Sequence, residues 1–432
     1  MALASTFLGG AAGRLLAPAI PFRFFASAVL FQLLAWFALL IAAPSLADFA
    51  GGPGWPLAAL HLFTLGVLVM TSIGASLQLL PVATRQSVWS ANWPYHLLWA
   101  VYTLAVAAVT AGMAFLQPAL LWVGALAVAA ALLIYLALLA HNLRGARGMR
   151  LVVLHTWAAG LSLLVLLATG LSLAGAYSGV HLLQRDSAIG LHVSFAGYGF
   201  MGLLVMGFSY ILVPMFALSD NPPRIWSDSS LALALLALTL AFLVLTGMLP
   251  MSFFVAAIVC GALSFLIHWV LMERCLRAGM RRSLGSSFVL VRIGWGCLAA
   301  SFVAALALEL GFPLKHGAVL FGVLLLSGLL TLLLGMLSRI VPFLAAMHAG
   351  AGQRRPPTPS NMTAQRALDI HLYSHGAALL LLLVGVTLDS VWLARAGASA
   401  GLLGAGAYAF FFFNAWRRMT QKKGLPGHAK ST

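Results

Sequence analysis

The apolar residues of this chain run in long, nearly unbroken blocks. They show neither the two-residue alternation of a half-buried strand nor the narrow stripe of a surface helix. A helix that crosses a bilayer needs roughly 20 mostly apolar residues. Twelve blocks reach that length, at approximately 21–43, 57–82, 94–116, 119–140, 151–176, 189–216, 230–249, 251–273, 287–311, 315–345, 370–388 and 391–416. Glycine and proline mark many of the breaks, as at Gly52-Pro53-Gly54 and Asn221-Pro222-Pro223. The longest polar insert, Gln353 to Asp369, holds Pro356, Pro357 and Pro359 and reads as an irregular loop. The pattern predicts an all-α integral membrane protein, a single polytopic domain over residues 1–432 with twelve transmembrane helices. No cleavable signal peptide is expected, because Arg14 and Pro18 interrupt the first apolar stretch.

Composition agrees. Of 432 residues, 62% are hydrophobic and 7% charged, against about 25% charged in a soluble domain. That excludes a soluble enzyme, and the net charge of +16 needs no nucleic-acid partner, because its distribution explains it. With the N-terminus placed in the cytoplasm, the cytoplasmic segments hold Arg14, Arg23, Arg85, Arg144, Arg147, Arg150, Arg224, Arg274, Arg277, Arg281, Arg282, Arg354, Arg355, Arg366, Arg417, Arg418, Lys422, Lys423 and Lys430. The opposite side holds only Arg185, Lys315 and Arg395, and Arg292 and Arg339 fall within spans. This asymmetry predicts a multi-pass protein of a bacterial-type inner membrane with both termini cytoplasmic. The basic face meets anionic lipid headgroups. The three cysteines form neither a metal-type pair nor a disulfide framework.

Three spans share a signature. Span two ends on Gly74…Pro81, span six on Gly207…Pro214 and span ten on Gly335…Pro342. The seven-residue spacing places glycine and proline on one helix face. Each span also opens on a histidine, His61, His192 or His316, followed by Gly66, Gly197 or Gly322. These marks recur every four helices. They predict a pseudo-threefold repeat of four-helix units, at approximately 21–140, 151–273 and 287–416.

The same histidines are the leading candidates for chemistry. An ionisable side chain within a span usually faces protein or a cavity, and neutral imidazole ligates haem iron, copper or zinc. His61, His192 and His316 are expected at similar depth near the outer side. Two of them could hold a haem, and the third a second metal or a hydrogen bond. A single such histidine is as readily explained by a bond to a backbone carbonyl. A second group gathers toward the other side: His155, and His371 with His375, which share a helix face as an i,i+4 pair, are candidate metal ligands. His96 and His268 lie near the same boundary. Arg339 in span ten and Arg292 in span nine are candidate partners for haem propionates, for Glu309 or Asp369, or for lipid phosphate, and snorkelling to the inner surface explains Arg339 as well. Tyr198 and Tyr210 lie on span six. The spans contain almost no carboxylates, so no carboxylate chain of an ion-coupled pump is present.

Twelve spans, threefold repetition and histidines opening spans two, six and ten resemble subunit I of the haem-copper oxidases. The resemblance implies a haem role for His61 and His316 and a copper role for His192. That family's adjacent histidine pair on the seventh helix has no counterpart here, where the region reads Leu245-Thr-Gly-Met-Leu-Pro250. A second histidine beside His316 is also missing. The resemblance therefore speaks against a complete oxygen-reducing haem-copper centre. Pro21-Phe-Arg-Phe-Phe25, the Gly74–Pro81 ending and Arg339-Ile-Val-Pro-Phe343 are similar to segments of NnrS-type proteins, twelve-span proteins associated with haem, copper and protection against nitric oxide. The Trp-His-Ala-His-Glu-Met type motif of that family's second span is replaced here by Leu60-His61-Leu-Phe-Thr-Leu65.

Together these readings give a haem-binding membrane protein. It would carry haem b, with copper as a second candidate cofactor, in redox or ligand chemistry with a diatomic gas, nitric oxide before oxygen. As a haem-dependent oxidoreductase it would take electrons from a quinol or a cytochrome, since no CxxCH motif for covalent haem is present. Two rival classes stay open. One is a transporter of a metal, haem or small solute, because repeats and Gly/Pro-broken helices also occur there. The other is a cofactor-free assembly protein.

Overall fold

In the lipid interior every backbone N–H and C=O must bond within the protein, which leaves helices as the solution for apolar segments of this length. The computed structural model describes Arg14 and residues 16–180, 182–281, 284–350 and 356–421. Among these residues the fold is all-helical, with twelve helices long and apolar enough to cross a membrane. They are α1 (Ala19–Ser45), α2 (Trp55–Thr84), α3 (Trp93–Ala114), α4 (Pro118–Arg144), α5 (Arg150–Ala176), α6 (Arg185–Ala217), α7 (Arg224–Leu245), α8 (Phe253–Ala278), α9 (Ser286–Glu309), α10 (Gly317–Ala349), α11 (Gln365–Thr387) and α12 (Val391–Thr420). Each coincides with one of the apolar blocks. Arg282, Arg354, Arg355, Lys422, Lys423 and Lys430 lie outside the described residues.

Helices α6 and α2 are the most enclosed, α1 and α10 follow, and α7 and α8 lie at the rim. Leu104, Leu161 and Val303 on α3, α5 and α9 are more than half exposed. Exposed leucine and valine on three separate helices form the outward apolar surface a bilayer requires.

Contacts between helix ends sort them into two faces. Arg147 N–H donates to Thr84 O and Arg281 N–H to Ala217 O. Arg150 pairs with Asp228 at 2.8 Å, and Arg418 donates to Asn361 O at 2.6 Å. These ends form one arginine-rich face. On the opposite face His316 meets Asp48 and Asp389, and Lys315 meets Asp389.

The three signature helices are not identical. In α2 the backbone widens into π-helical turns over Leu62–Val69, directly after His61, and in α6 over Phe195–Gly202, three residues after His192. Both helices then close alike. Four residues beyond Pro81 and Pro214, Arg85 and Leu218 adopt left-handed conformations, and the next N–H donates back to the proline carbonyl at 3.1 Å. Helix α10 is regular throughout and continues past Pro342 to Ala349.

The signature glycines mark close helix contacts. A Cβ on Gly74 would lie 2.9 Å from Phe24 Cβ on α1, one on Gly207 2.7 Å from His155 Cβ on α5, and one on Gly335 3.1 Å from Leu290 Cβ on α9. Each central helix thus seats the helix that opens its own group of four. A tighter contact joins α3 to α4, where a Cβ on Gly124 would lie 2.6 Å from the Val109 backbone nitrogen. Backbone cannot yield as a flexible side chain can, so Gly124→Ala is expected to cost about 1–3 kcal/mol. The readout is a lower melting temperature in detergent. Gly296→Ala, where a Cβ meets nothing within 4 Å, should leave it unchanged or raised. Equal effects at the two sites would show that the α3–α4 approach is not tight.

Candidate functional site

His61 sits about two turns into α2 and His192 about two turns into α6. Their rings come together across the two helices, with centroids 6.3 Å apart and planes tilted by 34°. The His61 Nδ1–H donates to the Leu57 carbonyl at 3.0 Å. That bond fixes the tautomer and leaves Nε2 as the basic nitrogen. His192 Nδ1 lies 3.5 Å from Thr169 Oγ1 on α5, a long contact. Gly170 makes room for this ring, because a Cβ there would stand 3.2 Å from His192 Cε1.

Both imidazoles border a cavity of about 920 Å³ whose wall is overwhelmingly apolar. Its size falls in the range of cofactor and ligand pockets, about 300–1,000 Å³. Thr64, Tyr198, Ser264, His268, Ser327 and Glu309 supply most of its polar groups. Tyr198 is tied to Ser301 Oγ at 3.0 Å. At the mouth Phe49–Gly52 face Tyr177 and Arg185. Gly51 and Gly52 have φ of 93° and 104°, which lets that loop turn close to Arg185 and Tyr177.

His316 does not join the pair. Helix α10 begins one residue after it, and His316 itself is left-handed with φ 53°. It caps the bundle between Asp48 at 3.8 Å and Asp389 at 3.9 Å and is absent from the cavity wall. Arg339 is absent from that wall as well. Its guanidinium lies over the Phe288 ring at 6.0 Å, beside Gly285 in the α8–α9 connection. Arg292 pairs with Glu273 on α8 at 2.6 Å, not with Glu309 or Asp369. The charged side chains on the cavity wall are Glu309 and Arg185, the latter counted by the sequence reading for topology alone.

The other histidines form two buried groups. His371 and His375 on α11 are stacked, with centroids 5.2 Å apart. His371 Nδ1–H donates to Gly404 O at 3.0 Å, and His375 Nε2 hydrogen-bonds Thr331 Oγ1 at 2.8 Å. Tyr408 covers His371 with centroids 4.8 Å apart, and Trp36 stands edge-on to His375. In the second group Tyr210 on α6 touches both His155 on α5 and His268 on α8. His96 lies at the rim beside Arg23. Among the described residues no three His, Cys, Asp or Glu side chains gather into a metal-binding cluster.

No protein-family model matches the chain, and no curated protein matches it as a relative.

The Thr331–His375 bond gives a direct test of the α10–α11 group. Thr331→Val strands a fully buried imidazole nitrogen. It should cost about 1–3 kcal/mol, seen as a lower melting temperature in detergent. Unchanged melting would show that His375 does not depend on Thr331.

Proposed function

We propose that this chain is a haem-binding membrane protein. His61 and His192 would be the iron ligands, and its business redox or ligand chemistry with a diatomic gas, nitric oxide before oxygen. One observation carries the reading: among the described residues, two imidazoles from separate helices meet on the wall of a large apolar cavity, and no third His, Cys, Asp or Glu gathers with them. A bare copper or zinc ion there would have only two protein donors, fewer than the three or four that protein zinc sites supply. A tetrapyrrole brings four nitrogens of its own and asks the protein for one or two axial ligands.

The pairing supports this: His61 and His192, with ring centroids 6.3 Å apart on separate helices, would be the two residues that hold the haem iron. The His61 Nδ1 bond to a backbone carbonyl is the outer-shell partner that metal-bound histidines usually have. Arg185 at the mouth is the cation placed to meet propionates. The apolar wall excludes water and admits an apolar gas. Bound haem would supply the redox-active, gas-ligating iron. The protein supplies the axial nitrogens, their orientation and a low-polarity shell, which together set the potential. A quinol or a cytochrome would be the electron donor.

The fold reading belongs to the same proposal. The matching seats of Gly74, Gly207 and Gly335 support three four-helix units, as in the haem-copper oxidase and NnrS-type proteins that the sequence resembles. The arginine-rich face would lie in the cytoplasm of a bacterial-type inner membrane, with both termini on that side.

The test is a reduced-minus-oxidised spectrum with a pyridine haemochrome assay on protein purified from haem-replete cells. One haem b per chain is expected, lost in His61→Ala and His192→Ala and retained in His316→Ala. Loss in His316→Ala with retention in His192→Ala would overturn the ligand assignment. A colourless wild-type protein would overturn the haem reading, and the cavity would then be read as the binding site of a transported apolar solute.

A further inference from the structure

Tyr210 on α6 lies between His155 on α5 and His268 on α8 in its contacts, touching each ring. The Tyr210 ring centroid lies 5.5 Å from that of His155 and 5.0 Å from that of His268. All three side chains are more than nine-tenths buried, His155 completely. Yet His155 Nε2, both ring nitrogens of His268 and Tyr210 Oη have no hydrogen-bond partner among the described residues. Ser227 and Ser230 flank Tyr210, and their hydroxyls donate to the Pro223 and Ser264 carbonyls.

This is unusual, because buried polar atoms are nearly always bonded and each exception asks for an explanation. Packing does not supply one. Gly207 is the glycine that admits His155, whereas the matching glycine of α2 admits Phe24 and that of α10 the Ser287 carbonyl with Val291 and Leu290. Helix contact at this register does not require an imidazole. Comparison with the α11 group sharpens the point. There two histidines and a tyrosine also meet, but His375 Nε2 is bonded to Thr331 and Tyr408 Oη donates to Leu334 O at 3.4 Å. In that group the fully buried atom without a partner is His371 Nε2, among the described residues. The α5–α6–α8 group keeps four uncommitted atoms.

The His155 tautomer indicates what is missing. Its Nδ1–H donates to the Leu151 carbonyl at 2.8 Å, so Nε2 presents a lone pair. A ring nitrogen bonded to a backbone carbonyl, opposite a free lone pair, is the usual arrangement of a metal-bound histidine. From this geometry we propose that His155, His268 and Tyr210 form a metal site for a borderline first-row ion, copper or zinc. His155 Nε2 and one His268 ring nitrogen are the imidazole donors and Tyr210 Oη is the third. Neutral imidazoles select copper and zinc over magnesium or calcium, which take oxygen donors. His268 borders the same cavity as the His61–His192 pair, but the donors lie far from that pair along it: Tyr210 follows His192 by 18 residues on α6, about 27 Å along the helix axis. It lies near the arginine-rich face, little more than a turn inward from Arg150 and its partner Asp228. The proposal does not depend on haem binding.

The test loads purified full-length protein with Cu or Zn in separate samples and washes each with a weak chelator. Metal per chain is then measured by mass spectrometry, and haem is assayed on the same material. One equivalent of Cu or Zn is expected in the wild type, lost in His155→Phe and His268→Leu and kept in His371→Leu. His155→Phe installs the side chain that α1 carries at this register, so folding is expected to survive. X-ray absorption of the loaded wild type should show a site with imidazole scattering. That readout decides the matter even where a variant fails to fold. Wild-type protein that keeps no metal, or variants that keep the full equivalent, would overturn the site. Loss of haem with metal retained would strike only the haem reading.

Discussion

A polar atom surrounded by lipid-facing helices has no water to fall back on, and the architecture follows from that constraint. Backbone groups satisfy it by forming helices. Side chains satisfy it locally, as Ser, Thr and His hydroxyls and N–H groups bond the carbonyl one turn back; His61 to Leu57 and His155 to Leu151 are two such cases. That bond uses only one ring nitrogen. The other must find a partner across a helix interface or be left to something the chain does not provide. The histidines of this protein divide along that line. His375 is completed by Thr331. His61 and His192 turn to a cavity and to each other. His155 and His268 are closed in without partners.

The span count was legible from hydropathy alone, because a run of about 20 apolar residues has few other fates, whereas limits shifted, as in α7, which begins six residues before its apolar block. The Gly–Pro signature was legible too, and its glycines prove to be seats for neighbouring helices. Depth was not legible. The three histidines hold matching places relative to their spans in sequence, yet His61 and His192 lie inside their helices while His316 precedes its own. Where a helix starts depends on the connecting loop. The α9–α10 connection ends in a left-handed residue, and the helix begins only after it. The π-helical turns of α2 and α6 carry no hydropathy signal, so the widening beside His61 and His192 could not be read in advance.

Meetings between distant segments were the other blind spot. Nothing in the spacing of His61 and His192 says that their rings approach within 6.3 Å. Tyr210 and His268 likewise became neighbours of His155 only through packing. Arg339 seemed a partner for a buried anion because it interrupts an apolar span. In fact its guanidinium lies across the helix interface, over Phe288 on α9 and beside Gly285 in the α8–α9 connection.

The departures from symmetry then acquire a direction. If three similar units built the bundle, chemistry would be shared among them, but the residues that packing does not need are concentrated on α6 and its neighbours. Helix α6 carries His192, Tyr198 and Tyr210, and it is the most enclosed of the twelve. Its π-helical turns lie between His192 and Tyr210. Such turns cost regular backbone hydrogen bonding and persist where they orient side chains that function requires. Helix α10 carries the same Gly–Pro signature but is regular, has no histidine on the cavity wall and donates Thr331 to a neighbour's imidazole. Helix α10 therefore supports, while α2 and α6 present. All three signature helices keep a glycine seat, but only α2 and α6 turn a signature histidine to the cavity, so the packing rule is common to the three and the candidate site belongs to two.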